Sequence, residues 1–258
     1  MFALERQKRI TAILESEGAV WVSKLSNELG VTEETIRRDL EKLEKQELLV
    51  RTHGGAVPID ESTYELSLET RKRTNVDVKE KLARAAVKFI VPGDIVFLDA
   101  STTTFYMAKE LKKMTNVTVI TNSFRVINEL MGHENLKVIG IGGMASNNQS
   151  FVGSLAETLV ETNFYANKMF FSSKGVDSEV GILESNEQES GIKTKMIENS
   201  RLKFYLCDKS KIGRVGFVKL APFEKIDYFL TEADLNETWK EKFAESKVEF
   251  VQIAEENE

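Results

Sequence analysis

Apolar residues in the first part of the chain recur at helical spacing in three successive segments. Leu4, Ile10, Ile13 and Leu14 share one helix face, and Gly18 stops that helix. Ser23 reads as the N-cap of a second helix carrying Leu25 and Leu29 and closed by Gly30. Thr32 caps a third, whose apolar stripe is Ile36, Leu40 and Leu43. Glu33 and Glu34 fall in its first turn, where the helix dipole favours negative charge. Thr35, Arg37, Arg38 and Lys42 lie off the stripe. The period then shortens to alternation, and Leu48-Leu-Val-Arg-Thr-His-Gly-Gly-Ala-Val57 predicts a hairpin turning on Gly54-Gly55.

Residues 58–78 are polar and weakly periodic, which predicts a linker with one short helix over 66–73. Beyond them the pattern alternates between two kinds of segment. Apolar runs at 95–98, 117–120, 136–141, 168–171, 203–206, 228–230 and 248–253 predict buried strands. Between most of them lie amphipathic stretches, preceded by a first helix over 81–89 and continuing at 105–113, 124–131, 155–161, 189–199 and 237–245. Such alternation argues for an α/β fold: a largely parallel, open sheet with helices on both faces. The expected organisation is a winged helix-turn-helix over 1–57, a linker over 58–78 and an α/β domain over 79–258.

Composition narrows the class. The 258 residues are 41% hydrophobic and 29% charged, without an apolar run long enough to span a membrane or a secretory pattern at the start. The cytoplasm is the expected compartment. Cys207 is the only cysteine, so an intrachain disulfide and a cysteine-rich metal site are excluded. It reads as a small buried hydrophobe. With His53 and His133 the only histidines, any metal would need mostly oxygen ligands; no metal, cofactor or catalytic residue is expected. Net charge is −6, and residues 1–57 hold nine Lys/Arg against ten Asp/Glu. Attraction to DNA therefore has to come from local clustering, while the acidic remainder suppresses unspecific binding.

That clustering sits on the third helix. A winged helix-turn-helix places this helix in the major groove, where the planar fork of arginine grips guanine or phosphate in bidentate fashion. Arg37 and Arg38 are the candidates, with Ser23, Thr32 and Thr35 near the phosphates. Arg51 and His53 on the ribbon would reach backbone or minor groove. The charge run alone also fits a solvated helix face laced with i,i+4 ion pairs. The ordered succession of helix, glycine turn, cap, arginine pair and glycine ribbon favours DNA.

In open α/β sheets ligands bind outside the carboxyl ends of the strands. Asp99-Ala-Ser-Thr-Thr-Thr104 follows the first strand and leads into a helix, and Thr121-Asn-Ser123 follows the second in the same way. Hydroxyls and free amides at a helix N-terminus suit an anion, although Ser and Thr before a helix are also ordinary caps. Gly142-Gly143 would let a ligand approach closely. Two later strands end in Ser172-Ser-Lys-Gly-Val-Asp177 and Asp208-Lys-Ser-Lys211. Together they predict a polar ligand pocket. Gly140-Ile-Gly-Gly-Met-Ala145 fits a dinucleotide pattern in spacing but is followed by polar residues, not a helix.

Thr35-Ile-Arg-Arg-Asp-Leu40 and His53-Gly-Gly-Ala56 resemble the helix-turn-helix of the DeoR family of bacterial regulators, and the resemblance extends over nearly the whole chain. Its matching stretches include 99–104, 121–123, Gly142-Gly143, 175–177, 189–196 and 208–211. It implies a sensor domain similar in fold to ribose 5-phosphate isomerase. In that domain the loops bearing Ser101, Thr102, Thr103, Thr121, Asn122 and Ser123 would hold a phosphate. Asp99, Asp177, Lys193 and Lys211 would line the rest, near Lys174 and Gly175. Ser101 stands where the family usually has glycine, and Ser190 where alanine commonly follows the glutamate. The function implied is a repressor of a carbohydrate operon that binds double-stranded operator DNA as a homodimer or homotetramer and is released by a phosphorylated sugar. The alternatives are an isomerase or deaminase of sugar phosphates, with Asp99 or Asp177 moving a proton and Lys193 stabilising an enediolate, and a constitutive DNA binder whose second domain only oligomerises.

Overall fold

Helix α1 (Ala3–Glu17) ends at Gly18, whose left-handed backbone, φ 73°, turns its amide back to the Leu14 carbonyl at 2.9 Å. A short strand β1 (Val20–Trp21) runs into α2 (Val22–Leu29), which closes at Gly30. Helix α3 (Glu33–Lys45) starts on Thr32, whose side chain accepts the Thr35 amide, and carries Lys42 and Lys45 at its other end. Strands β2 (Val50–Thr52) and β3 (Gly55–Val57) complete a three-stranded antiparallel sheet in the order β1-β3-β2. The computed structural model describes residues 2–59 and 66–254. It divides into two compact units, Met1–Thr70 and Arg71–Glu258.

The first unit has its own core, built from Ile10, Leu14, Leu25, Leu29, Ile36, Leu40, Leu43 and Leu49. Each such side chain contributes about 1.5–3 kcal/mol by leaving water. Three expectations are corrected here. Leu4 is 69% exposed and takes no part in the core. Ser23 lies inside α2 and is exposed; the N-cap is Trp21, with no side-chain cap bond, because the helix follows directly from β1. The hairpin turns on His53-Gly54, since Thr52 pairs with Gly55. Gly55 instead answers a close approach: a Cβ there would fall 1.8 Å from the Val20 carbonyl oxygen. That contact comes from β1, which pairs with β3 and has too few residues to show a period.

A buried charge fixes how α1 meets α3. Asp39 is almost fully buried, accepting Arg6 Nε at 2.5 Å and Gln7 Nε2 at 2.8 Å. Asp39 follows Ile36 by three positions and precedes Leu43 by four, so it sits on the apolar stripe itself.

Helix α4 (Leu68–Arg73) is shorter than expected and spans the division between the units. The expected linker is interrupted by structure. Its residues 60–65 lie outside the described residues, and α5 (Val76–Val87) begins five positions before the helix predicted from 81. The early turn was hidden because a lysine, Lys79, shares the buried face with Leu82, Ala83 and Ala86.

The second unit continues through β4 (Ile95–Leu98), α6 (Thr102–Leu111), β5 (Val117–Thr121), α7 (Phe124–Leu130) and β6 (Leu136–Gly140). A small hairpin, β7 (Met144–Ala145) and β8 (Phe151–Val152), precedes α8 (Ser154–Asn163) and β9 (Ala166–Phe171). Then come β10 (Gly175–Asp177), β11 (Gly181–Glu184), α9 (Glu187–Glu198) and β12 (Ser200–Leu206). Strands β13 (Val218–Ala221) and β14 (Tyr228–Thr231), helix α10 (Glu237–Ser246) and β15 (Glu249–Gln252) end it. The seven expected strands form one sheet in the order β15-β14-β12-β9-β4-β5-β6, parallel at every pairing.

The strand period divides the core in two. Val96, Leu98, Phe170, Phe204 and Leu206 pack under residues of α5, α6 and α7, while Phe97, Met169, Phe171 and Tyr205 pack under residues of α8, α9 and α10. Stacked rings lock the register: Phe204 lies 4.6 Å from Phe170 and 4.4 Å from Tyr228, its partners on the two neighbouring strands. The small sheets, β7-β8 and the antiparallel β10-β11-β13, are not among the expected elements. The chain runs from β4 outward to β6, then returns to the other side of β4 with β9. The switch point therefore lies between β4 and β9, where a ligand crevice is expected.

Asp39→Ala would leave the Arg6 guanidinium buried without its carboxylate. The expected loss is about 3–5 kcal/mol, seen as earlier melting of the first unit's amides in hydrogen exchange during denaturation. An unchanged profile would show that the pair does not hold α1 to α3.

Candidate nucleic-acid interface and ligand site

The outer face of α3 carries the predicted arginines in weak pairs. Arg37 Nη2 lies 2.6 Å from Glu33 and Arg38 Nε 3.2 Å from Glu34, both one helical turn back and both at least 48% exposed on either partner. Arg51 on β2 meets Glu44 at 2.8 Å. Exposed pairs of this kind are worth about 0–1 kcal/mol, so a phosphate or guanine edge readily displaces the glutamates. Thr35 is half-buried, with its hydroxyl 2.9 Å from that of Thr32. His53 is exposed at the tip of the β2-β3 turn. Thr32, Thr35, Arg37 and Arg38 thus occupy one helix start, and Arg51 and His53 the ribbon; exposed Ser23 lies on α2.

At the switch point the second unit buries a cluster of charges. Asp99, fully buried at the end of β4, accepts the Ser101 amide at 3.1 Å and the Thr104 hydroxyl at 2.8 Å through Oδ1. Its Oδ2 accepts the Ser172 amide at 3.2 Å, after β9, and lies 3.1 Å from Lys193 Nζ, on α9. Lys193 also donates to the Ser172 carbonyl at 2.8 Å and to the Glu184 carboxylate. Its ammonium is thus held within the protein by two hydrogen bonds and a close ion pair. Burial works against this charge, but the carboxylates of Glu184, Asp99 and Glu189 outweigh it and hold the lysine above its ordinary range. Glu184 was missed in the sequence because it ends a strand of a sheet that no period announces.

The hydroxyl loops are first of all helix caps. Ser101 accepts the Thr104 amide at 3.2 Å and Ser123 the Val126 amide at 3.3 Å, while Thr121 accepts the Ser123 amide at 3.0 Å. Thr102 and Thr103 are buried in the first turn of α6. Asn122 is oriented by its bond to the Phe151 carbonyl at 3.0 Å. Among the described residues, Thr103 Oγ1 and Asn122 Oδ1, one at each helix start, have no hydrogen-bond partner.

Two of the three glycines predicted at the site answer backbone crowding more than a ligand. A Cβ on Gly143 would lie 2.8 Å from the Val152 carbonyl, and one on Gly175 2.2 Å from the Arg214 carbonyl; the third, Gly142, faces open space. Asp177 accepts the Glu179 and Val180 amides at 2.9 Å, closing the β10-β11 turn. Half-buried Lys174 is held through its amide by the Leu183 carbonyl at 3.1 Å. No helix follows Gly142-Gly143, as expected; the short strand β7 does, so no dinucleotide turn forms. Cys207 is fully buried, and burial pushes its thiol up.

Cations gather above the buried cluster. Lys211 donates to Ser172 Oγ at 2.5 Å and lies 3.6 Å from Asp208. Burial opposes the charge on Asp208, yet Lys211, Ser210, Lys79 and Asn75 hold it below the usual carboxylate range. Lys79, on α5, is pulled down to about 8 by burial and then by the Lys211 charge; Arg71 and Arg125 add to this and Asp208 opposes it. Arg125, buried on α7, braces the β4 loop through the Ala100 carbonyl at 3.1 Å. Neither Lys79 nor Arg125 was among the sequence candidates, since each sits on an otherwise apolar helix face. A separate cavity of about 490 Å³, lined by Ile127, Leu130, Met131, His133, Leu136 and Val138 among others, contains none of the predicted ligand residues.

A model of the DeoR-like helix-turn-helix domain matches residues 6–62, and a model of the DeoR C terminal sensor domain matches residues 74–233. The chain belongs to the DeoR family. It is 41% identical over 254 residues to YulB of Bacillus subtilis, an uncharacterized HTH-type transcriptional regulator, covering 98% of each chain. It is 35% identical to the L-fucose operon activator of Haemophilus influenzae, covering 89% of this chain and 92% of that one. It is 31% identical to the glycerol-3-phosphate regulon repressor of Escherichia coli, covering 89% and 90%. Ribose 5-phosphate isomerase A of Methanocaldococcus jannaschii superposes on 55% of the chain, and on 56% of its own, with TM-score 0.40 and 19% identity.

As a DeoR-family member the protein is a DNA-binding transcriptional regulator, and the isomerase or deaminase reading is set aside. Among the described residues no helix is long and apolar enough to cross a membrane, and no group of acidic, histidine and cysteine side chains is arranged to hold a metal.

Two outcomes are expected from this geometry. Arg37→Ala should weaken operator binding by about 1–3 kcal/mol and relax preference at one base pair, whereas Arg51→Ala should weaken binding to all sequences and flatten its salt dependence. Identical behaviour of the two variants in titrations over a range of salt would refute the division into base and backbone roles. Lys193→Ala should destabilise the second unit by about 3–5 kcal/mol in urea titrations, because it strands two buried carboxylates. A fully stable variant would mean that the ammonium is not the keystone of the cluster.

Proposed function

We propose that this regulator binds the operator of a carbohydrate operon as a homodimer or homotetramer in the cytoplasm and is released from it by a phosphorylated sugar, acting as a repressor. The observation that carries the reading is the set of cations at the carboxyl ends of the strands: Lys211 bonded to Ser172 Oγ after β9, Arg125 to the Ala100 carbonyl after β4, and Lys79 within the field of both. A phosphate ester matches that field, and the first turns of α6 and α7 add amides that suit an anion. The orphaned acceptors on Thr103 and Asn122 fit a ligand rich in hydroxyl donors. Relatives named for an L-fucose operon and a glycerol-3-phosphate regulon support a carbohydrate-linked effector, the second of them a phosphate ester. Two-fold pairing of the winged helices would read half-sites about 34–36 Å apart, or multiples of this.

The sugar phosphate must favour the arrangement that does not bind DNA, because equal affinity for both states shifts nothing. A coupling of about 1–3 kcal/mol changes operator affinity by about 5–150-fold. The test is a thermal-shift panel of sugar phosphates, followed by gel shifts on the DNA upstream of the protein's own gene. At least one sugar phosphate should stabilise the protein and release that DNA; stabilisation without release would overturn the regulatory reading. Lys79 also sets a pH dependence. Its folded-state value of about 8 means the free protein loses this charge above that pH, where an anionic ligand can keep it only by taking up a proton. Facing Lys79 are Lys211, Asp208, Arg71 and Arg125. Affinity for the ligand should therefore fall between about pH 7 and 9, and less so in Lys79→Met.

A further inference from the structure

The chain segment that follows the DNA-binding unit is stitched to the rim of the ligand site at nearly every residue. Arg71 Nη2 donates to Asn148 at 2.5 Å, and Asn148 in turn donates to Glu189 at 3.3 Å. The Tyr106 hydroxyl, on α6, donates to the Lys72 carbonyl at 3.3 Å. Lys79 donates to the carbonyls of Arg71 and Thr74 at 2.5 and 2.6 Å, satisfying acceptors at the end of α4. Asn75 donates to Asp208 at 3.4 Å and to Ser210 at 3.2 Å. Asn75 also has φ 52°, a left-handed backbone that asparagine adopts more readily than most residues other than glycine.

The anchors lie on the β7-β8 turn (Asn148), on the loop after β12 (Asp208 and Ser210) and on helices α5 and α6 (Lys79 and Tyr106). The ties are therefore sensitive to anything that occupies the site. Lys79 matters most, because its ammonium stands among other cations, with Asp208 the carboxylate in its field, and uses its protons on two backbone carbonyls. A dianionic group entering beside Lys211 gives that ammonium a stronger partner than a neutral carbonyl.

We propose that Arg71–Asn75 is a strap that reports the occupancy of the ligand site: an anion at the rim draws Lys79 off the carbonyls of Arg71 and Thr74, and the loosened strap is the signal passed along the chain to the DNA-binding unit. This rests on the sugar-phosphate reading above and adds the element that transmits it. The strap runs without a break into α4, which begins within the first unit, so no separate connector is needed.

The test uses the full chain. Asn75→Gly keeps the left-handed backbone available while cutting the tie to Asp208 and Ser210, and Tyr106→Phe cuts the tie to Lys72. Hydrogen exchange at residues 71–75 is followed with and without glycerol 3-phosphate and inorganic phosphate, together with affinity for the DNA upstream of the gene. In the unmodified protein, a probe that releases DNA should speed exchange of these amides about tenfold. Asn75→Gly without any probe should already exchange faster and bind DNA about fivefold or more weakly, with its melting temperature nearly unchanged. Tyr106→Phe should shift both readouts the same way. DNA release by a probe with strap exchange unaltered would overturn the strap and leave the sugar-phosphate reading standing. A probe-insensitive protein whose Asn75→Gly variant still loses DNA affinity would overturn the choice of effector and leave the strap standing. Unchanged DNA affinity in both variants overturns the strap outright.

Discussion

The second unit is organised around one buried ammonium. Lys193 reaches from α9 to the point where β4 and β9 part, and there it faces Asp99 and Glu184 with no solvent to screen the charges. A buried charge is tolerated only when it is paired and its remaining hydrogen-bonding capacity is met, and this group meets both conditions. Through it the first loop after β4, the first residues after β9, the end of β11 and the middle of α9 are held in one arrangement. Ser101 and Thr104 can then close the start of α6, and Ser172 can present its hydroxyl to Lys211.

Above that foundation the charges change character. Lys79, Lys211 and Arg125 are partly or wholly buried with more cations than carboxylates among them, and Lys79 shows the strain by a depressed affinity for its proton. Below, one ammonium is surrounded by carboxylates; above, cations are in excess, the division expected of a scaffold and the site it carries. The DNA-binding unit repeats the contrast within a single helix. Asp39, turned inward, is locked to Arg6 and Gln7, while Arg37 and Arg38, turned outward, rest in exposed pairs that are nearly neutral in energy. Residues adjacent in one charged run therefore serve fold and recognition separately, divided only by helical phase.

All seven strands of the large sheet and most helices were legible because burial on one or both faces imposes a period that survives in a single sequence. Thr32 as a cap and the glycines that stop α1 and α2 were legible for an equally local reason, since each acts within one turn of itself. The elements that escaped are short or paired at a distance. Strand β1 has two residues and β10 three, and β13 joins β11 only after the chain has passed through α9 and β12. Of the site, Asp99, Lys193 and Lys211 were named in advance, but their division of labour was not. Gly143 and Gly175 looked like places for a ligand and turn out to be places for backbone.

Local pattern and resemblance in the sequence were sufficient for the two-part architecture, the outward arginines of α3 and the family. Periodicity and capping depend on residues a few positions apart, so a linear reading reaches them. The pairing of Asp99 with Lys193, the inward turn of Asp39, the place of Glu184 and the cationic company of Lys79 join residues from separate elements. Whether a charged side chain is a ligand or a strut depends on how many of its donors and acceptors its neighbours occupy. That count exists only once the chain has folded and put those neighbours within about 3 Å of one another.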